Sequence, residues 1–400
     1  MSSREGGALA FAIHYDPDLF EAVVRAFLAT TYFFVSLRLA KNALDAGRKK
    51  RSIALNEPGG DDSRTRLAED EATMWALTGS FVLTIVAFFT KVRFNVPADQ
   101  WVGVNLVGQA LLLGTPVFLA VSFLAINAVQ ALRGVTTKTR RYGVELAERP
   151  DPGGSIARRL EWYRKLNHLA LFFVILLTGL ATGALSRQYP SEDVWGDPQM
   201  SRIAKGLSPS VPLTISQLVL VVFFYVLADV LLFVDVTRVS TGRFSHFFLH
   251  KTVQRVLRKK ELDRLGSFTL FATGYLLAAL VLPFSAFLAS LVLFCLGDTA
   301  AAVAGRRASR GGRGHRLPKN EEKTWEGLLA GTLVSFGGAA PLVGVTWGLA
   351  AAGLFLATDL LSPSLVKVDD NLLLPLGATG AFVLLSALGV PAAPLLWPGW

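Results

Sequence analysis

Five stretches of the chain contain no Asp, Glu, Lys or Arg: Ala72–Thr90, Trp101–Leu132, Ser267–Leu296, Gly327–Thr358 and Asn371–Trp400. About 20 apolar residues form a helix long enough to cross a bilayer. Within the hydrocarbon, backbone polar groups must be satisfied inside their own segment. These runs therefore point to a polytopic bundle of transmembrane helices, an all-α fold. Composition agrees, with 52% hydrophobic and only 18% charged residues among 400, where a soluble domain is about one quarter charged. Disordered, collagen-like and disulfide-rich chains are excluded. The single cysteine, Cys295, lies in an apolar run and can form no internal disulfide. The net charge of +10 is what basic loops retained on the cytoplasmic side produce, so no nucleic-acid partner is expected.

Glu21 and Arg25 interrupt the first apolar stretch, which does not read as a cleavable signal. Spans are expected at 18–40, 72–92, 101–127, 168–186 and 211–235. Pro283 divides the run 267–304 into 267–281 and 284–304, and 325–360 divides near Pro341. A last span covers 372–390, making about ten in all. The strongly basic loops follow the odd-numbered spans, at 41–66, 133–165, 238–264 and 306–323. With ten spans, that alternation places odd loops in the cytoplasm and both termini outside. The segment Arg48–Glu71, with Pro58-Gly59-Gly60, reads as a polar linker. Residues 1–159 then form an N-terminal membrane appendage of about three spans, and 160–400 a compact C-terminal membrane unit.

Ionisable residues at membrane depth are expensive to keep there, so each is a candidate for function. Asp298 lies inside the seventh span, beside the small residues Gly297, Ala301 and Gly305, which recur at every fourth position and allow close helix approach. It suits either a divalent cation held against phosphate or a structural pair with a basic residue. Lys323 and Glu326 open the eighth span, where free backbone N–H groups favour an anion. Gly327 and Gly331 offer a second close-packing face. Arg164, Lys165 and His168 cluster at the start of the fourth span, with a structural or a functional role open. Asp369, Asp370 and Asn371 precede the last span as an N-cap, a second metal contact, or both. Asp235 and Arg238 have the spacing of an intrahelical pair. Soluble-kinase phosphate loops, zinc spacings and the Gly-x-Ser-x-Gly elbow are absent from the sequence.

In this order the motifs resemble the membrane-embedded CTP-dependent lipid kinases (dolichol, phytol and CTP-dependent diacylglycerol kinases), relatives of CDP-diacylglycerol synthase. The resemblance covers residues 160–395 and rests on Arg164-Lys165-x-x-His168, Asp235-x-x-Arg238, Gly297-Asp298-Thr299-Ala300-Ala301-x-x-x-Gly305, Lys323-Thr324-Trp325-Glu326-Gly327 and Asp370-Asn371-Leu372-Leu373-Leu374-Pro375. The last is most similar to dolichol kinase. Asp235 stands where the family has Glu, and no Pro-Gly precedes Lys323. The His-Gly-Gly and Leu-Asp-Arg elements of the synthase are absent. The resemblance implies transfer of the γ-phosphate of CTP to a long-chain isoprenoid alcohol at the cytoplasmic face of the cell inner membrane or endoplasmic reticulum. Asp298, Lys323, Glu326, His168 and Asp370 are the implied catalytic residues. Arg164, Lys165, Thr299, Gly305, Thr324, Gly327 and Asn371 would bind nucleotide, Asp298 and Asp370 would hold Mg²⁺, and His168 or Asp263 would take the hydroxyl proton. A phosphatidate cytidylyltransferase, a phytol or diacylglycerol kinase, and a transporter are the competing readings.

Overall fold

The structure, a computed structural model, describes residues 61–91, 155–188, 215–240, 265–310, 314–317, 320–361, 366 and 368–393, with isolated positions within 32–45 and 111–121. Most of the expected spans at 18–40 and 101–127, the basic loops at 133–154 and 241–264, and Asp263 lie outside the described residues.

The described residues are helical almost throughout. Three long helices, α1 (Asp61–Lys91), α2 (Ser155–Gln188) and α3 (Ile215–Ser240), precede a tightly packed series. That series runs α4 (Ser267–Val281), α5 (Phe284–Leu291), a π-helical turn (Val292–Gly297), α6 (Asp298–Arg310), α7 (Trp325–Val343), α8 (Val345–Leu361) and α9 (Asp370–Ala387). Among the described residues, four segments are long and apolar enough to cross a membrane: Trp162–Ala181, Phe284–Ser309, Trp325–Val343 and Asp370–Ala387. This is a helical membrane protein. Helix α4, at 15 residues, spans about 22 Å, short of a full hydrocarbon core.

The chain breaks at Pro283 as expected. Leu282 and Pro283 are extended, α4 ends at Val281 and α5 begins at Phe284. The second break falls later than expected. Pro341 lies inside α7, and the helix ends only at Gly344, whose φ of +90° is open to glycine and strained for other residues. Helix α1 also begins within the supposed polar linker, one residue after Pro58-Gly59-Gly60, because those residues stop a helix while the ones that follow do not.

Among the described residues, one departure from an all-helical fold stands in the basic linker. Strands β1 (Arg316–Leu317) and β2 (Asn320–Thr324) pair antiparallel, Arg316 opposite Thr324 and Leu317 opposite Asn320. A segment too polar to enter the bilayer satisfies its backbone in a short hairpin, anchored by the buried side chain of Leu317.

Helices α4 and α5 form the centre. Every residue of α5 is buried, as are nearly all of α4. Tyr275 donates its hydroxyl to the Ser290 carbonyl at 2.8 Å, joining the two helices. Phe271 and Tyr275 pack with Phe294 at ring distances of 4.5 and 6.2 Å. Around this centre lie α1, α3, α7 and α9. Small residues set the tightest approach. A Cβ on Gly327 would lie 2.7 Å from the Ala301 carbonyl oxygen, one on Gly305 2.8 Å from Thr324 Oγ1, and one on Gly331 3.0 Å from Ala301 Cβ. The faces expected from Gly297-Ala301-Gly305 and Gly327-Gly331 thus pack α6 directly onto α7.

Candidate active site at the helix ends

The π turn places the first functional side chain. The N–H of Asp298 bonds the Leu293 carbonyl, five residues back, so one extra residue enters the helix there. Each residue rotates a helix by about 100°, so this insertion decides which neighbour Asp298 faces. A π turn of this kind often marks a functional site. Gly297 permits it: a Cβ there would sit 2.3 Å from Ser335 Oγ.

Asp298 faces α2. Lys165 donates to its Oδ2, and His168 Nδ1 lies 3.9 Å from the same oxygen. Arg164 is close enough for its charge to act on Asp298. The Lys165 side chain is 2% exposed, whereas the Asp298 side chain keeps 31% of its surface open. His168 packs between Phe294 and Phe268, at ring distances of 4.6 and 6.0 Å. Further toward the end of α6, Arg306 donates Nε–H to the Ala302 carbonyl at 3.0 Å and lies 5.9 Å over the Trp162 ring.

A second cluster joins three other helix ends. Lys323, on β2, bonds the Asp359 carboxylate at the end of α8, and Asp370 of α9 lies 4.0 Å away. Burial disfavours the Lys323 ammonium, but Asp359, Asp370 and Asp298 together more than reverse this and raise its pKa above the ordinary lysine value. Lys323 therefore remains a cation at physiological pH. The charge of Asp298 also reaches Asp359, so the two clusters share one electrostatic neighbourhood.

The remaining residues named from sequence hold this arrangement in place. Thr324 caps α7, accepting from the Gly327 N–H at 3.2 Å. Thr299 donates its hydroxyl to the Cys295 carbonyl at 2.6 Å, within the π turn. Gly305 and Gly327 make the α6–α7 contact. Asp369 caps α9, accepting from the Asn371 N–H at 3.0 Å. Asn371 also donates its amide to Asp369 and, at 2.9 Å, to Asp370. Glu326 turns to the hairpin. Its carboxylate accepts from the His315 N–H at 3.2 Å, and His315 Nδ1 lies 2.7 Å from Oε1. Asp235 accepts from the Gly266 N–H at 2.6 Å and the Thr269 hydroxyl at 2.5 Å, fastening the start of α4 to α3. The Arg238 side chain lies outside the described residues.

Two carboxylates escaped the reading of the sequence. Asp359 directly follows the charge-free run Gly327–Thr358, in the last turn of an expected span. Asp229 lies in mid-span on α3, one turn after Tyr225. The signal for both was the one used elsewhere, a carboxylate inside an apolar helix. Among the described residues, no group of three or more His, Cys, Asp or Glu side chains is arranged to hold a metal ion.

No protein-family model, no curated protein and no solved structure matches the chain. Fold and site together define a helical membrane protein with clustered lysines and aspartates at converging helix ends.

Proposed function

We propose that the protein is a CTP-dependent lipid-alcohol kinase that passes the γ-phosphate of CTP to a long-chain isoprenoid alcohol, a dolichol or another polyprenol. The observation that carries this reading is a pair of cation–carboxylate clusters at helix ends, Lys165 and His168 on Asp298, and Lys323 on Asp359 beside Asp370. Phosphoryl transfer rests mainly on positioning and charge neutralisation. A cluster of buried or half-buried lysines and aspartates is suited to both.

In this reading, Lys165, Lys323 and Arg164 neutralise phosphate oxygens. The lipid hydroxyl oxygen bonds to the γ-phosphorus as the bond to the β–γ bridging oxygen breaks, CDP leaves, and His168 accepts the hydroxyl proton. In this reading Asp298 and Asp370 would hold Mg²⁺, which commonly takes one or two carboxylates together with substrate phosphates. Both side chains retain open surface, 31% and 42%. Bound there, Mg²⁺ would neutralise charge on the phosphate chain.

Depth supports an interfacial reaction. Trp162 and Trp325 are exposed and open two of the membrane-crossing segments, as interfacial tryptophans do. Lys165 and Lys323 lie within three residues of them. A transporter would hold its charges near the midplane on broken helices. Ten spans with odd loops cytoplasmic would place this face in the cytoplasm, in a cell inner membrane or the endoplasmic reticulum.

The test is purified protein in lipid nanodiscs with Mg²⁺, CTP and a panel of polyprenol, phytol and diacylglycerol. Formation of CDP and polyprenyl phosphate, lost with EDTA and weaker with ATP, is expected. Phosphorylation of diacylglycerol without polyprenol would keep the chemistry and sink the acceptor. No phosphorylated lipid from any acceptor would sink the kinase.

A further inference from the structure

The contact that holds Lys323 runs against local helix energetics at both of its ends. Lys323 stands two residues before α7, at the positive end of that helix dipole. Asp359 stands in the last turn of α8, at the negative end. Each charge is on the helix end that disfavours it. Both are also largely withdrawn from water, with side-chain exposures of 23% and 16%. Pairing two charges in such a place has a desolvation cost that a surface pair avoids.

The geometry nevertheless holds the ammonium twice through one residue. Lys323 bonds the Asp359 carboxylate and lies 3.5 Å from the Asp359 backbone carbonyl oxygen. A lysine carries its charge on a flexible four-carbon stem, and contact with Asp370 alone, at 4.0 Å, would leave it room to swing. Asp359 completes a three-point junction: the chain entering α7, the end of α8 and the start of α9. Departures from local rules of this kind concentrate at functional sites.

We propose that Asp359 is a positioning residue that fixes the Lys323 ammonium beside Asp370, where it meets the phosphate chain of the nucleotide. The inference rests on the kinase reading above. It assigns Asp359 no contact with substrate; it acts through Lys323. The alternative is a purely structural clamp among α7, α8 and α9.

A double-mutant cycle separates the two. Wild type, Asp359→Asn, Lys323→Met and the double variant are assayed in nanodiscs for kcat/KM toward CTP and KM toward polyprenol, with thermal unfolding of each. Displacing a positioned group by about 1 Å lowers rate by up to roughly 10²-fold. Asp359→Asn is expected to lower kcat/KM for CTP by about 10- to 100-fold, leaving KM for polyprenol unchanged. In the Lys323→Met background the same substitution should add less than about twofold, because its target is gone. Asp359→Glu keeps the charge, lengthens the arm and should fall between wild type and Asn. Equal losses in both backgrounds, or an Asp359→Asn variant as active as wild type, would overturn the proposal. Should Asp359→Asn fail to fold, Asp359→Glu decides: a several-fold loss toward CTP alone supports positioning, and wild-type activity overturns it. A wild-type protein that transfers no phosphate from CTP removes the kinase reading and this inference with it. Transfer by wild type with a silent Asp359 removes the inference only.

Discussion

Lys165 and Asp298 cannot be judged one at a time. The lysine side chain is 2% exposed and its ammonium has the Asp298 carboxylate against it, with Arg164 and His168 close by. Removing one partner of a buried pair is strongly destabilising, whereas replacing both with apolar residues is often close to neutral. Asp298→Asn should therefore lower stability by about 3 kcal/mol, the low end of the buried-pair range because Asp298 is partly open to solvent. Turnover per folded molecule should fall on the order of 10²-fold. The pair Lys165→Met with Asp298→Leu should recover most of the stability and none of the turnover, read by thermal unfolding beside the CTP assay. Recovery of activity in that pair would reduce both residues to packing. The sequence already offered these two readings of Asp298, a structural ion pair and a phosphate–metal site. The side chain satisfies the first while keeping an open face for the second.

At the scale of the element, the π turn at Val292–Gly297 decides where Asp298 points, and nothing in the composition of that run announces it. The backbone at Gly297 packs closely against Ser335 of α7, a residue remote in sequence. A methyl on Gly297 would lie 2.3 Å from Ser335 Oγ and 3.1 Å from the Phe355 ring. Gly297→Ala should destabilise the protein by about 1–3 kcal/mol, as overpacking does, and lower activity by turning Asp298. The Ser335 hydroxyl is buried with no hydrogen-bond partner among the described residues, so Ser335→Ala forfeits little. Together with Gly297→Ala it should restore part of the lost stability. An unchanged melting temperature in Gly297→Ala would contradict the tight contact.

Other elements were legible to different degrees, for physical reasons. The Pro283 break and the α6–α7 small-residue face follow from properties that act locally, a missing N–H and a missing side chain. The α7 break did not follow Pro341, because Gly344 could take the left-handed conformation that ends the helix. The hairpin at 316–324 was hidden by its charge, which suggested only a loop. Glu326, expected at the reaction centre, bonds His315, a partner that the hairpin delivers and that sequence spacing did not reveal.

At the scale of the whole molecule, charge alternation and apolar length made the membrane class readable from the sequence alone. Pairing between helices was not readable, because a carboxylate at a span end looks the same whether it meets a lysine or solvent. Asp359 and Asp229 were missed on that account. Orientation is testable directly. A cysteine at Ser309, at the end of a membrane-crossing segment, should react with an impermeant maleimide only when the cytoplasmic face is opened. The native Cys295 is buried and adds little background. Labelling of Ser309→Cys in intact cells would reverse the orientation.

In the proposed reaction the clustered lysines and aspartates move a phosphoryl group and not a nucleotidyl group. CTP labelled at the γ-phosphate and CTP labelled at the α-phosphate, each supplied with polyprenol and Mg²⁺, separate the two. Phosphoryl transfer puts label in the lipid from γ-labelled CTP alone, with CDP as the other product. Label in the lipid from α-labelled CTP, with pyrophosphate released, would contradict it and show a cytidylyltransferase.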